Sequence, residues 1–350
     1  MDRLRIGALG AARITPAALI KPGRVVPEVA VTAVAARDPA RAREFAGKHG
    51  IPVVHPTYEA LIADPDVDAI YNPLPNSLHA PWTLRAIAAG KHVLCEKPFA
   101  SNEAEAAEVA DAAKSAGVVV MEAFHYRYHP LARQMQQIAA GELGELRHVE
   151  AALCFPLPRF SDIRYRFDLA GGATMDAGCY AINCIRMLGQ GEPEVTGAQA
   201  KLRGPDVDRA MVADFRFPGG ATGRIRASLW SAQPLRISAK AIGERGEMRV
   251  LNYLAPQAFS LLRTRTSQTA RWERVRDHTA TYTYQLRAFA AAVLRGEPVI
   301  TNAEDAVANM RQIDSVYRAA GLPPRGQQDE PRGEQDQARG EQDQARGEED

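Results

Sequence analysis

The chain has 350 residues, with 43 Lys plus Arg against 42 Asp plus Glu and a net charge of +1. At about 100–200 residues per domain, that length suggests two domains with ample chain for a large core. The near-neutral balance lacks the electrostatic footprint of a nucleic-acid binder, and no run of about 18 apolar residues exists to span a membrane.

In chain order, the first 120 or so residues alternate strand and helix patterns. Leu4–Leu9 and Val29–Ala35 are apolar, β-branched runs of strand length, and 69–71, 93–95 and 118–121 supply shorter ones. Between them Pro39–His49, 57–63, 79–89 and 102–116 have helical patterns. Asp38-Pro39 is a helix start, with Asp as N-cap and Pro at the first helical position. Alternation at this spacing predicts βαβ units and a parallel, doubly wound sheet. The apolar run beginning at Leu4 leaves no room for a signal peptide. Four cysteines (Cys95, Cys154, Cys179, Cys184) form neither a Cys-x-x-Cys pair nor a disulfide scaffold. A cytoplasmic protein is expected.

After about residue 145 the rhythm changes. Strand-like stretches at 146–155, 195–202, 210–217, 223–231, 237–242 and 247–251 are separated by turns such as Pro218-Gly219-Gly220. Successive strands with tight turns predict an antiparallel sheet. Helical patterns interrupt it at 174–188 and close the chain at 282–294 and 302–320. From Arg325 onward, four arginines face nine carboxylates, so this end carries −5 and the rest +6. It repeats every seven residues from Arg332, with Gly in each unit and no apolar side chain larger than Ala. Such a segment cannot bury enough surface to offset its ordering entropy. Residues 323–350 are expected to form a disordered acidic tail, and truncation after Gly321 is expected to leave stability and turnover unchanged.

The chemistry-bearing motifs follow the strands of the first half. After Leu4–Leu9 comes Gly10-Ala11-Ala12-Arg13-Ile14-Thr15, where a dinucleotide fingerprint would place glycines at 10, 12 and 15. Only the tight-turn Gly10 is present, although Ala12 still allows a fairly close approach of backbone to pyrophosphate. After Val29–Ala35, the place of the acid that hydrogen-bonds ribose in NAD sites falls on Ala36, followed by Arg37. Arg37 can pair with a 2′-phosphate and stack on adenine; its other reading is a solvated loop residue. The segments Asn72-Pro73-Leu74-Pro75-Asn76-Ser77-Leu78-His79 and Cys95-Glu96-Lys97-Pro98 lie at the carboxyl edge, where doubly wound sheets bind ligands. Lys97 can donate a proton or tune a partner's pKa, and equally can be a surface residue.

GALGAAR, PLPNSLH, AAGKHVLCEKP, EAFHYRYHP (122–130) and GGATMDAGCYAIN (171–183) occur in this order. Together with the closing TYTYQLRAFAAAVLRGEP and NMRQIDSVYRAAG they resemble the glucose–fructose oxidoreductase / inositol dehydrogenase / rhizopine catabolism family, Gfo/Idh/MocA, over residues 3–322. The resemblance implies an α/β chain. It would have a Rossmann dinucleotide-binding domain (1–122) and an α+β domain with a large, mostly antiparallel sheet (123–322), through which homodimers or homotetramers form.

The resemblance also implies roles. Lys97 would sit beside nicotinamide and substrate, and Asp176-Ala177-Gly178-Cys179-Tyr180 would be the second catalytic element, of the subgroup with Tyr at its last position. Spacing by four places Asp176 and Tyr180 on one helix face. Tyr180 would move the substrate proton, its pKa near 10 expected to fall beside the lysine cation. Asp176 would orient the substrate hydroxyl, or else act as a helix N-cap. Cofactor contacts are expected from Gly10, Ala12, Arg13, Ile14, Arg37, Leu74, Asn76, His79, Glu96 and Lys97, with NADP favoured over NAD. Arg127 and His129 fall at the domain junction, where pockets form, and Arg164 is a third substrate candidate beside an aromatic core contact at Tyr165. His125 and His129 at i, i+4 lack the further ligands a zinc site needs, so no metal is expected. The implied activity is NADP-dependent hydride transfer to or from the hydroxyl or carbonyl carbon of a sugar, sugar derivative or cyclic diol. Two alternatives are a non-catalytic dinucleotide sensor and a redox-neutral enzyme with tightly held cofactor.

Overall fold

The computed structural model describes residues 3–231 and 235–326. Its first half is a six-stranded parallel sheet ordered β3-β2-β1-β4-β5-β6. The strands are β1 (Leu4–Leu9), β2 (Val29–Ala35), β3 (Val53–His55), β4 (Ala69–Asn72), β5 (His92–Cys95) and β6 (Val120–Glu122). β1 pairs with both β2 and β4, so the strand order reverses beside it and opens a crevice at the carboxyl ends. The three-residue β3 is too short to have shown as a strand pattern, and β6 lies about two residues later than expected.

Local chemistry fixes the helix starts. Asp38 caps Pro39–His49, accepting from Ala40 N at 2.8 Å, and Asn102 caps Glu103–Ala116, accepting from Glu105 N at 3.0 Å. Each side chain satisfies a donor the helix leaves unpaired. The first crossover is unusual: after β1 there is only a π-helical turn, Pro16–Ile20, running into Lys21–Gly23. That short element leaves one face of the sheet open. The distant helix Thr281–Arg295 covers it, placing Leu286, Phe289 and Ala290 against Leu4, Ile6, Ala8 and Met121. Burying Leu286 and Phe289 contributes about 1.5–3 kcal/mol each. The chain thus returns to the first sheet after completing the second.

The second sheet has eight strands ordered β14-β13-β12-β11-β7-β10-β9-β8. These are β7 (Leu146–Cys154), β8 (Glu194–Leu202), β9 (Asp208–Arg216), β10 (Thr222–Ser228), β11 (Arg236–Gly243), β12 (Gly246–Leu251), β13 (Leu261–Thr266) and β14 (Ala270–Arg274). Every neighbouring pair is antiparallel except β7 and β10, which run parallel with Ala151 opposite Ile225. Between them the chain inserts the helix Cys179–Leu188 and two strands, the long crossover a parallel pair requires. β13 and β14 escaped the sequence reading because LLRTRT and ARWER are short and arginine-rich, with no sustained apolar run. Cys179–Leu188 and Ala303–Ala319 join one core cluster with Ala151, Ile225 and Val109, so the two sheets share their packing.

The expected start of the tail at 323 requires correction. Leu322 is buried and Arg325 is fully buried, because Arg325 finds an internal carboxylate. The segment 327–350 lies outside the described residues. Among the described residues, no helix is long and apolar enough to cross a membrane.

Candidate active site

Lys97 follows β5 at the crevice, and its Nζ donates to Asp176 Oδ1 and to the Asp176 carbonyl, each at 3.0 Å. The second Asp176 oxygen accepts from Arg164 Nε at 3.0 Å, and Arg164 also holds Asp162 at 3.1 Å. Asp176 lies in a π-helical turn, Thr174–Gly178, that runs straight into Cys179–Leu188. Its carboxylate therefore serves the ion pair and not as the N-cap the alternative reading assigned. Burial works against the Lys97 cation, but the Asp176 carboxylate, with Glu96, outweighs it and holds the pKa above the ordinary lysine value. Burial likewise opposes the Asp176 carboxylate, while Lys97 and Arg164 hold its pKa below the ordinary range. Glu96 accepts from Tyr71 OH at 2.7 Å, and burial raises its pKa.

Tyr180 is 5% exposed and lies beneath Lys97, whose Nζ is 4.8 Å from the ring centroid. The expectation of a depressed phenol pKa is corrected. Burial raises it well above 10, with Tyr282 and Glu96 adding to the effect. The hydroxyl instead lies 3.3 Å from His125 Nε2, whose Nδ1 is 2.7 Å from Thr281 Oγ1. Burial, reinforced by Lys97, lowers the His125 pKa to about 3, so the ring is neutral. Sequence reasoning weighed His125 only as a metal ligand. Its signal was its place directly after β6, at the same sheet edge as Lys97. Among the described residues no group of three or more His, Cys, Asp and Glu is arranged to hold a metal.

The dinucleotide candidates surround the carboxyl end of β1. Gly10 has φ +84, and a Cβ there would meet Leu74 and Tyr58 at 3.3 and 3.7 Å. Only glycine takes that backbone readily and leaves the ledge open. Behind the loop, Thr15 Oγ1 is fully buried without a hydrogen-bond partner. An open glycine turn backed by an unsatisfied hydroxyl fits a bound pyrophosphate. Ala12 and Ile14 are half-buried beside it, while Arg13 and Arg37 are exposed. Arg41, one turn on from Arg37, donates to the Ala11 carbonyl at 2.9 Å and was not foreseen. Asn76 donates to Ala170 O at 2.9 Å, tying its loop to the second domain. His79 lies 2.7 Å from both Pro98 O and Leu74 O. Burial lowers its pKa to about 4 despite those carbonyls, so the neutral ring donates its single N–H to only one of the two.

The three substrate candidates separate. Arg164 joins the Lys97 cluster. Arg127 lies 3.3 Å from Asn183 Oδ1 and 3.9 Å from Asp305, inside a polar layer with Arg186. His129 caps the helix Pro130–Gln137, accepting from Leu131 N at 3.1 Å, and is 1% exposed. Neither is brought to Lys97.

Comparison with known proteins matches this arrangement. A family model described as an oxidoreductase family with an NAD-binding Rossmann fold covers residues 4–124, and a GFO/IDH/MocA C-terminal domain covers 132–249. The chain is 37% identical over 318 residues to D-xylose 1-dehydrogenase (NADP(+)) 2 of Haloferax volcanii, spanning 91% of this chain and 97% of that protein. It is 36% identical over 231 residues to trans-1,2-dihydrobenzene-1,2-diol dehydrogenase of Mus musculus, spanning 65% and 68% of the two chains. Among solved structures, the 3-ketoreductase KijD10 of Actinomadura kijaniata, in complex with NADP and TDP-benzene, superposes with a TM-score of 0.83 at 30% identity, over 91% of this chain and 98% of that one. With both halves matched and a relative aligned along nearly its whole length, the chain belongs to the Gfo/Idh/MocA family of oxidoreductases.

Proposed function

We propose that this oxidoreductase uses Lys97, Asp176 and Tyr180 to move the proton that accompanies NADP-dependent hydride transfer at a sugar carbon. The observation that carries the assignment is the half-buried Lys97–Asp176 pair, its ammonium stacked on Tyr180, at the carboxyl end of β5. NADP supplies or accepts the hydride. Lys97, kept charged by Asp176, presents a cation towards the oxygen that gains negative charge, which is worth most where water is excluded. Tyr180, kept protonated by burial, donates its phenolic proton to a carbonyl oxygen during reduction and recovers it during oxidation. His125 fixes the orientation of that hydroxyl.

The substrate class is a free aldose or a closely related polyol. The support is the D-xylose dehydrogenase, which aligns over more of the chain than the diol dehydrogenase does. The enzyme acts in the cytoplasm as a homodimer or homotetramer through the solvent side of the eight-stranded sheet, where Trp272 and Leu251 are exposed. Following NADPH absorbance with D-xylose, other aldoses, ketosugars and vicinal diols tests the activity. No turnover with any of them, with NADP(H) bound, would leave a dinucleotide sensor as the better reading. Cofactor that survives gel filtration would favour a redox-neutral enzyme.

A further inference from the structure

The most enclosed ion pair among the described residues lies away from Lys97. Arg325 and Asp208 are both fully buried, with Nη2 and Oδ1 3.0 Å apart. Asp208 is saturated: Oδ1 also accepts from Tyr317 OH at 3.0 Å, and Oδ2 accepts from Thr174 N at 2.7 Å and Thr174 Oγ1 at 2.6 Å. Arg325 Nε donates to Gly171 O at 2.8 Å. Its guanidinium lies 4.1 Å from the Tyr317 ring centroid and 4.9 Å from that of Phe167. The Arg325 carbonyl accepts from Asn102 Nδ2 at 2.8 Å, at the start of Glu103–Ala116.

These bonds converge on one turn. Gly172 has φ +140, and a Cβ there would stand 2.2 Å from Asp208 Oδ1, so the backbone is drawn directly onto the carboxylate. Asp176 N donates to Gly172 O at 3.0 Å and Gly172 N donates to Arg164 O at 2.8 Å. The turn therefore sets both Asp176 and Arg164, the two partners that close the Lys97 cluster. It is itself pinned by a residue from the far end of the chain.

We propose that Arg325 is a positioning residue for catalysis, holding the 171–174 turn so that Asp176 and Arg164 meet at Lys97. This rests on the catalytic reading above. Stability alone does not account for such a pair, since buried ion pairs replaced by apolar side chains often leave stability unchanged. A planar guanidinium that bridges Asp208 and the Gly171 carbonyl does account for a turn that must stop in one place. Small misplacements of reacting groups cost about 10- to 100-fold in rate.

The test uses the full chain with NADP+ and D-xylose, or the best aldose of the panel, and reads the single-turnover hydride-transfer rate constant. That constant does not depend on how many molecules are folded, unlike total activity. Arg325→Ala is expected to lower it about 10- to 100-fold while NADP+ affinity stays within about threefold. Arg325→Lys, which keeps a charge on Asp208 but cannot also reach Gly171 in the same geometry, is expected to fall between it and wild type. It carries the test if Arg325→Ala does not fold. A rate constant within about twofold of wild type in Arg325→Lys and in any folded Arg325→Ala overturns the proposal. Lys97→Met and Tyr180→Phe measured alongside separate the two ideas. If they are inactive while Arg325 variants transfer hydride normally, only the positioning role fails; if they are fully active, the catalytic reading fails first.

Discussion

Lys97 Nζ sits 4.8 Å from the centre of the Tyr180 ring and 3.0 Å from Asp176, so the cation is shared between a carboxylate and an aromatic face. Such a contact contributes about 0.5–2 kcal/mol, more as water is removed. It holds the tyrosine in place without ionising it. On the proposed reading, lysine and tyrosine divide the work, one supplying charge and the other the proton.

Removing the phenolic oxygen tests that division. Tyr180→Phe keeps the ring against Lys97 and against Phe124, whose centroid is 5.3 Å away. Turnover is expected to fall by about 10²–10⁴, with NADP(H) affinity unchanged by fluorescence titration. Lys97→Met is expected to be comparably damaging, and the double variant to cost much less than the product of the two, as for residues acting as one unit. Retention of more than about a third of turnover in Tyr180→Phe, with chemistry rate-limiting, makes Tyr180 a packing residue.

On the proposed reading, the acid side of the pH profile is expected to follow Asp176. Its pKa is depressed in the folded state by Lys97 and Arg164 against the opposing effect of burial. A depressed carboxylate contributes stability that is present above its unfolded value, about 3.9, and is lost as pH falls through the folded one. The Lys97–Asp176 pair is thus intact throughout the neutral range. Arg164→Gln removes one of the two cations, so the acid limb of the rate profile is expected to move upward. An unmoved limb would mean that Lys97 alone keeps Asp176 ionised.

Cofactor choice was expected from Ala36 and Arg37, and the structure adds Arg41 beside the same loop. A charge-assisted contact to a 2′-phosphate contributes about 1.5–3 kcal/mol, roughly 10- to 150-fold in affinity. Arg37→Ala is expected to weaken NADPH binding by about that factor and to leave NADH binding little changed. Arg41→Ala is expected to weaken both, since its guanidinium also braces Ala11. Titrating each variant with both reduced cofactors checks this. Equal losses for NADPH and NADH in Arg37→Ala would mean that Arg37 does not read the phosphate.

Much of the first sheet was legible because parallel strands buried on both faces announce themselves as continuous apolar runs: β1 and β2 have the expected bounds. Lys97 and Tyr180 stood out through motif context. The link between Asp176 and Arg164 did not, since it depends on a turn whose shape is set by Asp208 and Arg325, far along the chain. His125 was missed for a related reason. Its partner Tyr180 lies 55 residues away in sequence, and no local period reports that proximity. Charge composition misled most at the C-terminus, where Arg325 reads as part of a disordered acidic tail yet has no exposed surface.

That misreading gives the last prediction. Truncation after Gly321, expected from composition to be silent, removes Leu322 and Arg325 and leaves Asp208 buried without its cation. Breaking a buried pair by deleting one partner costs about 3–5 kcal/mol. The two Thr174 bonds and the Tyr317 hydroxyl remain to Asp208, which places the loss towards the lower end. Truncation after Gly326 keeps every one of these contacts. Thermal unfolding of the two truncations against the full chain is expected to show a clear fall in Tm for the first and no more than a small change for the second. Equal Tm values for both truncations at neutral pH would show that the Arg325–Asp208 pair contributes nothing to stability.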